Sequence, residues 1–180
     1  LDLFIGTLLL SLKRWLKMVN IEDNFLEDKD FQAIKNTLLK DDFFDWYFNH
    51  EIVDHHHKDN LHFFQFTHFL YRNHVRSRFF NVCTPILKKL DVKSLVRIKV
   101  NLSTFSTKLV EGGFHRDYDF DCKSALFYVN TNNGYTKFKK NNKIIKSVEN
   151  RLVMFKATEL HTGTNTTDQK CRVVINFAYF

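Results

Sequence analysis

From Ser94 to the C-terminus, the chain consists of short runs of alternating, β-branched or aromatic residues. Asn132, Asn133 and Gly134 form a turn signal between two of these runs, and Asn141 with Asn142 forms another. The pattern predicts strands over residues 95–102, 113–117, 124–130, 135–138, 143–147, 151–155, 158–162 and 171–179. So many closely spaced strands favour a barrel or a sandwich.

The first half of the chain has a different hydrophobic period. Apolar residues recur at helical spacing in two stretches: Phe31, Ile34, Leu38 and Leu39, then Phe63, Phe66, Phe69 and Leu70. They predict one helix within residues 21–39 and a second that continues towards Val75, while Pro85 to Leu90 predicts a third. We therefore expect a mainly β protein with N-terminal helices, of the α+β class, in which residues 18–93 are largely helical support and residues 94–180 form the β core.

Length and composition predict one folded domain over residues 18–180. The chain has 180 residues, 44% of them hydrophobic, with 20 Phe, five Gly and one Pro, enough apolar material for one sizeable core and too little Gly and Pro for long linkers. Residues 1–17 form an extension of uncertain status. Its apolar run is too short to span a bilayer, and its basic residues follow that run, unlike those of a secretory signal.

The charge and the cysteines bear on partners and location. The net charge is +7, but the lysines are scattered, which favours a solvated basic surface over a nucleic-acid interface. The three cysteines, Cys83, Cys122 and Cys171, are odd in number and widely spaced, so they predict reduced thiols in a cytoplasmic protein. No membrane span is expected.

His115, Asp117 and His161 form the candidate metal site. Residues i and i+2 of a strand face the same side, about 7 Å apart, so His115 and Asp117 can bind one cation. His161 on a later predicted strand supplies a third ligand. Two histidines and a carboxylate make the facial triad of non-haem Fe(II) oxygenases, which leaves coordination positions open for a 2-oxo acid and dioxygen.

Arg172 is the candidate for binding the far carboxylate of such an acid. In the strand 171–179, Val173, Ile175, Phe177 and Tyr179 share one face. Arg172, Val174 and Asn176 share the other, which we expect to line the barrel interior. A buried arginine demands an anion, and its planar guanidinium suits a carboxylate.

A second triplet, His57-Lys58-Asp59, has the same spacing but lies in a polar run without strand pattern. If it were the metal motif, with His115 as the distal histidine, Leu126 would stand where the arginine is required. The neighbouring histidines 55–57 point in different directions and favour a solvated loop over a zinc site.

Several motifs carry a family resemblance over residues 18–180. They are Ile21-Glu-Asp-Asn-Phe-Leu26, Phe114-His-Arg-Asp117, Leu126-Phe-Tyr-Val-Asn130, Gly134-Tyr-Thr-Lys-Phe138, His161-Thr-Gly-Thr164 and Arg172-Val-Val-Ile-Asn-Phe177. In these motifs the chain resembles the Fe(II)/2-oxoglutarate-dependent dioxygenase superfamily, in its prolyl-4-hydroxylase-like branch with small microbial and viral members.

The resemblance implies a double-stranded β-helix, a cupin-like jelly roll, with Fe(II), 2-oxoglutarate and dioxygen as cofactor and co-substrates. It implies hydroxylation of an unactivated C–H bond, coupled to conversion of 2-oxoglutarate to succinate. The branch often has Tyr where this chain has Phe127, and a hydroxyl residue where it has Val174. We therefore expect Tyr128, Asn101 or Thr136 to assist Arg172.

The resemblance leaves the substrate open between a protein or peptide side chain, such as a proline, and a small metabolite. Nucleic acid is disfavoured, because the superfamily's demethylases usually carry a second arginine where this chain has Ala178. The alternatives are a non-catalytic jelly-roll binding or structural protein and a metal-dependent hydrolase or cupin-type isomerase. The non-catalytic protein would show no iron affinity and no dependence on 2-oxoglutarate, and neither enzymatic alternative needs an arginine that holds a dicarboxylate.

Overall fold

A computed structural model describes residues 19–50, 52 and 64–180. Its helices are α1 (Asp28–Leu39) and α2 (Thr84–Lys89), with 3-10 turns at Phe80–Cys83 and Lys139–Asn141. The strands are β1 (Val19–Glu22), β2 (Tyr47–Asn49), β3 (Gln65–Arg72), β4 (Val75–Arg76), β5 (Leu95–Thr104), β6 (Lys123–Tyr128), β7 (Tyr135–Phe138), β8 (Lys143–Lys146), β9 (Arg151–Lys156), β10 (His161–Gly163) and β11 (Cys171–Tyr179).

The strands form two antiparallel sheets. The larger has the order β1-β9-β6-β11-β5-β3-β2, with β4 paired to β3, and the smaller has the order β10-β7-β8. Strands that are neighbours in the sheet are mostly distant in sequence, as in a jelly roll. The expected mainly β, double-stranded β-helix fold is therefore confirmed.

Strand β11 separates the hydrophobic core from an internal cavity. Val173, Ile175, Phe177 and Tyr179 are fully buried in the main core, together with Phe31 and Ile34 of α1. The other face of the strand, with Arg172, Val174 and Asn176, lines the cavity. This is the division that the period of two along residues 171–179 predicts.

The predicted helix from Phe63 towards Val75 is wrong, because Gln65–Arg72 is strand β3. Its register against β5 shifts between Phe69 and Tyr71. An irregularity of this kind breaks the alternation of side chains along a strand, so the apolar residues around Phe69 and Leu70 do not follow a period of two. The spacing of the apolar residues in this strand therefore resembles that of a helix. As a result, the described part of residues 18–93 has two helices and four strands and is not largely helical.

Other boundaries also differ from those expected. Val19–Glu22 forms β1 against β9, and α1 begins only at Asp28. The predicted strand 113–117 is reduced to an isolated bridge between His115 and His161, and the strand expected over 158–162 begins at His161. The N-terminal extension 1–17, the histidines 55–57 and the triplet that ends at Asp59 lie outside the described residues.

No helix in the described ranges is long and apolar enough to cross a membrane.

Phe127 joins α1 to the sheet, and its replacement tests this packing. Its ring is fully buried, with ring centroids 6.4 Å from Phe25 and 6.2 Å from Phe31. We expect Phe127→Ala to lower the free energy of unfolding by about 3–5 kcal/mol in urea denaturation. Phe43→Ala, at a ring that is 78% exposed, is the control and should change it by less than about 0.5 kcal/mol. Equal effects of the two substitutions would contradict the packing described.

Candidate active site

Main-chain hydrogen bonds bring His115, Asp117 and His161 together. The amide of each histidine donates to the carbonyl oxygen of the other at 3.0 Å, and the Asp117 amide donates to the Ala157 carbonyl oxygen at 3.0 Å. One ligand atom from each of the three side chains lies within 4.8 Å of the others. Residues that are far apart in sequence thus converge on a volume that one cation can occupy.

Both imidazoles present the same nitrogen to this volume. Nδ1 of His115 lies 3.2 Å from the Gly113 carbonyl oxygen, and Nδ1 of His161 lies 3.0 Å from that of Glu159. A carbonyl oxygen only accepts hydrogen bonds, so Nδ1 carries the proton in each ring. The Nε2 lone pairs are then available to a metal ion, as in many histidine-ligated sites.

Asp117 is held as a carboxylate by three donors. Ser124 Oγ donates to Oδ2, Asn176 Nδ2 lies 3.2 and 3.0 Å from the two oxygens, and Arg97 Nη2 donates to Oδ1 at 3.1 Å. Burial raises the pKa of Asp117, but the charges of His161 and Arg97 and these hydrogen bonds outweigh it and hold the pKa below its ordinary value. Sequence reasoning placed Asn176 on the interior face but missed Ser124 and Arg97.

His115 is kept neutral by its surroundings. Burial, followed by the charge of His161, lowers its pKa from 6.5 to about 4. At neutral pH the ring is therefore uncharged, with its one proton on Nδ1, and this is the form that binds a metal ion.

At the other end of the cavity, Arg172 is buried among hydroxyl groups. Its Nε donates to Ser147 Oγ at 2.7 Å and its Nη2 to Thr136 Oγ1 at 3.1 Å. The guanidinium lies 5.5 Å from the centroid of the Tyr128 ring, and the Tyr128 hydroxyl donates to Thr136 Oγ1 at 2.8 Å. Within the described ranges, no carboxylate forms an ion pair with Arg172. Sequence reasoning missed Ser147, which follows β8.

Phe127 and Tyr128 lie on opposite faces of β6, because a strand sends adjacent side chains to opposite faces. Phe127 packs in the main core, whereas Tyr128 pairs with Val174 on the face that carries Arg172. Thr136 and Ser147 place their hydroxyls within hydrogen-bond distance of Arg172. A phenol and two hydroxyls from other positions than 127 and 174 therefore surround the guanidinium.

Gly134 allows this close packing around Arg172. A Cβ atom at this position would lie 2.6 Å from Arg172 Cδ and 2.5 Å from the Asn165 carbonyl oxygen. The glycine of the turn signal is thus required by the close approach of both the Asn165 main chain and the Arg172 side chain.

One cavity of about 370 Å³ connects the His-Asp-His cluster to Arg172. Asn101 and Thr136 also line it, and Leu126 and Val174 supply part of its apolar wall. The Oδ1 atom of Asn101 is buried without a hydrogen-bond partner in the described part of the protein. A volume of this size suits small molecules.

The neutral state of His115 predicts a pH dependence of stability in metal-free protein. His115 binds a proton near pH 6.5 in the unfolded chain and only near pH 4 in the folded chain. Its contribution to stability is therefore full above pH 6.5 and is lost as the pH falls towards 4. Between pH 7 and pH 5, His115 should account for a loss of about 2 kcal/mol in the free energy of unfolding. His115→Gln should remove this part of the pH dependence in urea denaturation; an unchanged dependence would contradict the pKa shift.

No protein-family model matches the sequence, and no curated protein shows detectable similarity to it. Solved structures, in contrast, share its architecture. A viral collagen prolyl hydroxylase from Paramecium Bursaria Chlorella virus-1, solved as a complex with 2-oxoglutarate, is 15% identical with a TM-score of 0.61, and the match covers 90% of this chain and 95% of that chain. A prolyl hydroxylase from Trichoplax adhaerens, in complex with a peptide fragment of hypoxia inducible factor, is 16% identical with a TM-score of 0.63, covering 91% and 83%.

A prolyl-4-hydroxylase from Pseudomonas putida is 12% identical, with a TM-score of 0.56, over 90% of this chain and 92% of that chain. At such low identity these likenesses speak for the fold and not for the chemistry. The chain therefore has the double-stranded β-helix fold of the prolyl hydroxylases and related 2-oxoglutarate/Fe(II) oxygenases.

Proposed function

We propose that this protein is an Fe(II)- and 2-oxoglutarate-dependent oxygenase that hydroxylates an unactivated C–H bond. The observation that carries the proposal is the pairing of two groups in one cavity. A His-Asp-His cluster lies at one end, and a buried arginine that has no anionic partner among the described residues lies at the other.

The donor atoms of the cluster fit Fe(II). His115 and His161 offer their Nε2 atoms, and Asp117 offers a carboxylate whose low pKa keeps it ionised. Such a set suits a divalent transition metal and leaves coordination positions for other ligands. Ser124 and Asn176 orient the carboxylate, and the Gly113 and Glu159 carbonyl oxygens orient the two rings.

The opposite end fits the far carboxylate of 2-oxoglutarate. Burial of Arg172 lowers its pKa, which reflects the cost of keeping a guanidinium away from water. A carboxylate in the cavity offsets this cost through charge-assisted hydrogen bonds. In this proposal Thr136 and Ser147 fix the direction of the guanidinium, Tyr128 packs against it, and Asn101 contacts the bound acid.

When bound, Fe(II), 2-oxoglutarate and dioxygen supply an oxidative decarboxylation to succinate and carbon dioxide that is coupled to hydroxylation of the substrate. The protein residues bind, orient and exclude water. Leu126 and Val174 supply apolar wall in the cavity. In this proposal Arg172 anchors the far carboxylate of 2-oxoglutarate and so fixes how far the acid reaches towards the His-Asp-His cluster. A purely structural jelly roll would have no use for a buried arginine without an anion, so the catalytic function is favoured.

For the substrate, we propose a protein or peptide side chain or a small metabolite. The Trichoplax adhaerens neighbour is a prolyl hydroxylase in complex with a peptide, and another neighbour, 10% identical with a TM-score of 0.62 over 93% of this chain and 80% of that chain, is the α-ketoglutarate-dependent epimerase SnoN from nogalamycin biosynthesis. The same fold thus occurs in a hydroxylase in complex with a peptide and in an epimerase of nogalamycin biosynthesis.

Anaerobic titration tests the metal site. Addition of Fe(II) and then 2-oxoglutarate should produce the weak visible charge-transfer band of a 2-oxo acid bound to Fe(II). His115→Ala removes a ligand and should abolish both the band and substrate-triggered succinate release, whereas His50→Ala, at an exposed histidine, should leave both unchanged. Folded wild-type protein without the band, or normal turnover by His115→Ala, would contradict the proposal.

A substitution at Arg172 tests the co-substrate site separately. Arg172→Gln loses a charged hydrogen-bonding partner worth about 1.5–3 kcal/mol, so the Kd for 2-oxoglutarate should rise about 10- to 150-fold. Fe(II) affinity without 2-oxoglutarate should change little, because the arginine lies at the far end of the cavity. The control is Arg78→Gln at an exposed surface arginine. Calorimetry measures both affinities, and an unchanged Kd for 2-oxoglutarate in the folded variant would argue against the role of Arg172.

A further inference from the structure

Strand β5 carries a second group of cations into the same cavity. Arg97, Lys99, Asn101 and Ser103 are alternate residues of this strand and all line the cavity. In the register with β11, Ser103 is opposite Arg172, while Lys99 is opposite Asn176, which contacts Asp117. Arg97 and Lys99 therefore lie at the end of the cavity that holds the His-Asp-His cluster.

This group is separate from the arginine that is assigned to 2-oxoglutarate. The side chain of Arg172 contacts Tyr128, Thr136 and Ser147 on the side of β6 to β8. The Lys99 ammonium instead lies 5.6 Å from the ring centroid of Phe69, on β3. Because β11 and β5 stand between β6 and β3 in the sheet, the two cations lean towards opposite sides of the cavity.

Lys99 is a half-buried cation without a counter-ion in the described part of the chain. Within the described residues no carboxylate forms an ion pair with it, and burial, followed by the nearby charge of Arg97, lowers its pKa from 10.5 to about 8. Arg97 donates Nη2 to Asp117 and Asn176, but its Nε is buried without a hydrogen-bond partner in the described part of the chain. Both side chains thus retain unused capacity to bind an anion.

Fe(II) and 2-oxoglutarate, the groups of the proposed function, do not neutralise the positive charge at the end of the cavity that holds the His-Asp-His cluster. Asp117 is the sole carboxylate among the described lining residues, whereas Arg97, Lys99, Arg116 and Arg172 all line the cavity. Arg116 is half-exposed, with Nη1 3.8 Å from Asp119. Dianionic 2-oxoglutarate matches the two charges of Fe(II), so an excess of positive charge remains beside the metal site, and a neutral substrate would cover this charge without pairing it.

We propose that Lys99, with Arg97, binds a carboxylate or phosphate group of the substrate beside the metal site, so that the enzyme acts on an anion. This inference rests on the proposed function, because it is the oxygenase reaction that makes the bound anion a substrate. Two kinds of substrate carry such an anionic group: a free small acid, and a peptide with an acidic side chain. In either case, the anion fixes which carbon of the substrate faces the metal.

The test is a binding experiment with probes matched in shape and differing in charge. Protein saturated anaerobically with Fe(II) and 2-oxoglutarate is titrated in a calorimeter with N-acetylproline and its amide, and with the peptides acetyl-Ala-Pro-Asp-amide and acetyl-Ala-Pro-Asn-amide. We expect the anionic member of at least one pair to bind about tenfold more tightly than its neutral partner. A preference in the first pair indicates a free acid, and a preference in the second indicates an acidic side chain.

Variants of Lys99 test whether this residue causes the preference for the anionic probe. Lys99→Met keeps the length of the side chain and removes its charge, and it should abolish the preference, whereas Lys99→Arg should retain it. Lys99→Gln serves as a second neutral variant if the methionine protein does not fold. The matched control is Lys156→Met, at a side chain that is 61% exposed, and it should leave the preference unchanged. No charge preference in the wild type, or a preference that persists in a folded neutral variant at Lys99, would overturn the proposal.

The same samples separate this inference from the proposed function. The charge-transfer band reports on Fe(II) and 2-oxoglutarate, and the charge preference can also be measured in metal-free protein. Loss of the band with a Lys99-dependent preference retained would refute the oxygenase and leave the anion site standing. The band without any preference would refute the anion site alone.

Discussion

The architecture depends on the alternation of side chains along β11, the strand between β5 and β6 in the large sheet. One set of alternate residues completes the core over α1, and the other set, with Arg172, Val174 and Asn176, faces the cavity. A shift of register by one residue would exchange the two sets and drive Arg172 into the apolar core. The strong burial of Val173, Ile175 and Phe177 therefore also fixes the positions of the polar groups in the cavity.

The positions of His115, Asp117 and His161 in turn depend on main-chain hydrogen bonds. The bridge between His115 and His161 and the bond from the Asp117 amide to Ala157 set the spacing of the three side chains. Each ring is oriented by a carbonyl oxygen of a residue two positions earlier in the chain. The donor set is thus preorganised by the backbone, which reduces the entropy that a metal ion must overcome in ordering its ligands.

The sequence alone predicts the features that local periodicity encodes. It identified the interior face of residues 171–179, most strands after Ser94, and the residues His115, Asp117 and His161, which the fold brings together. It missed what depends on pairing between distant strands.

Ser124 and Arg97 become neighbours of Asp117 only through the register of β6, β11 and β5, and the irregularity in β3 disguised a strand as a helix. The alternation along β6 could have predicted that Tyr128 faces the cavity, because residues 126 and 128 share the face opposite to Phe127.

In the cavity, Arg172 lies at one end and Lys99 at the other, and each costs folding free energy while it lacks an anion. A ligand that binds only the folded chain stabilises that chain. An anion bound to either cation should therefore raise the free energy of unfolding.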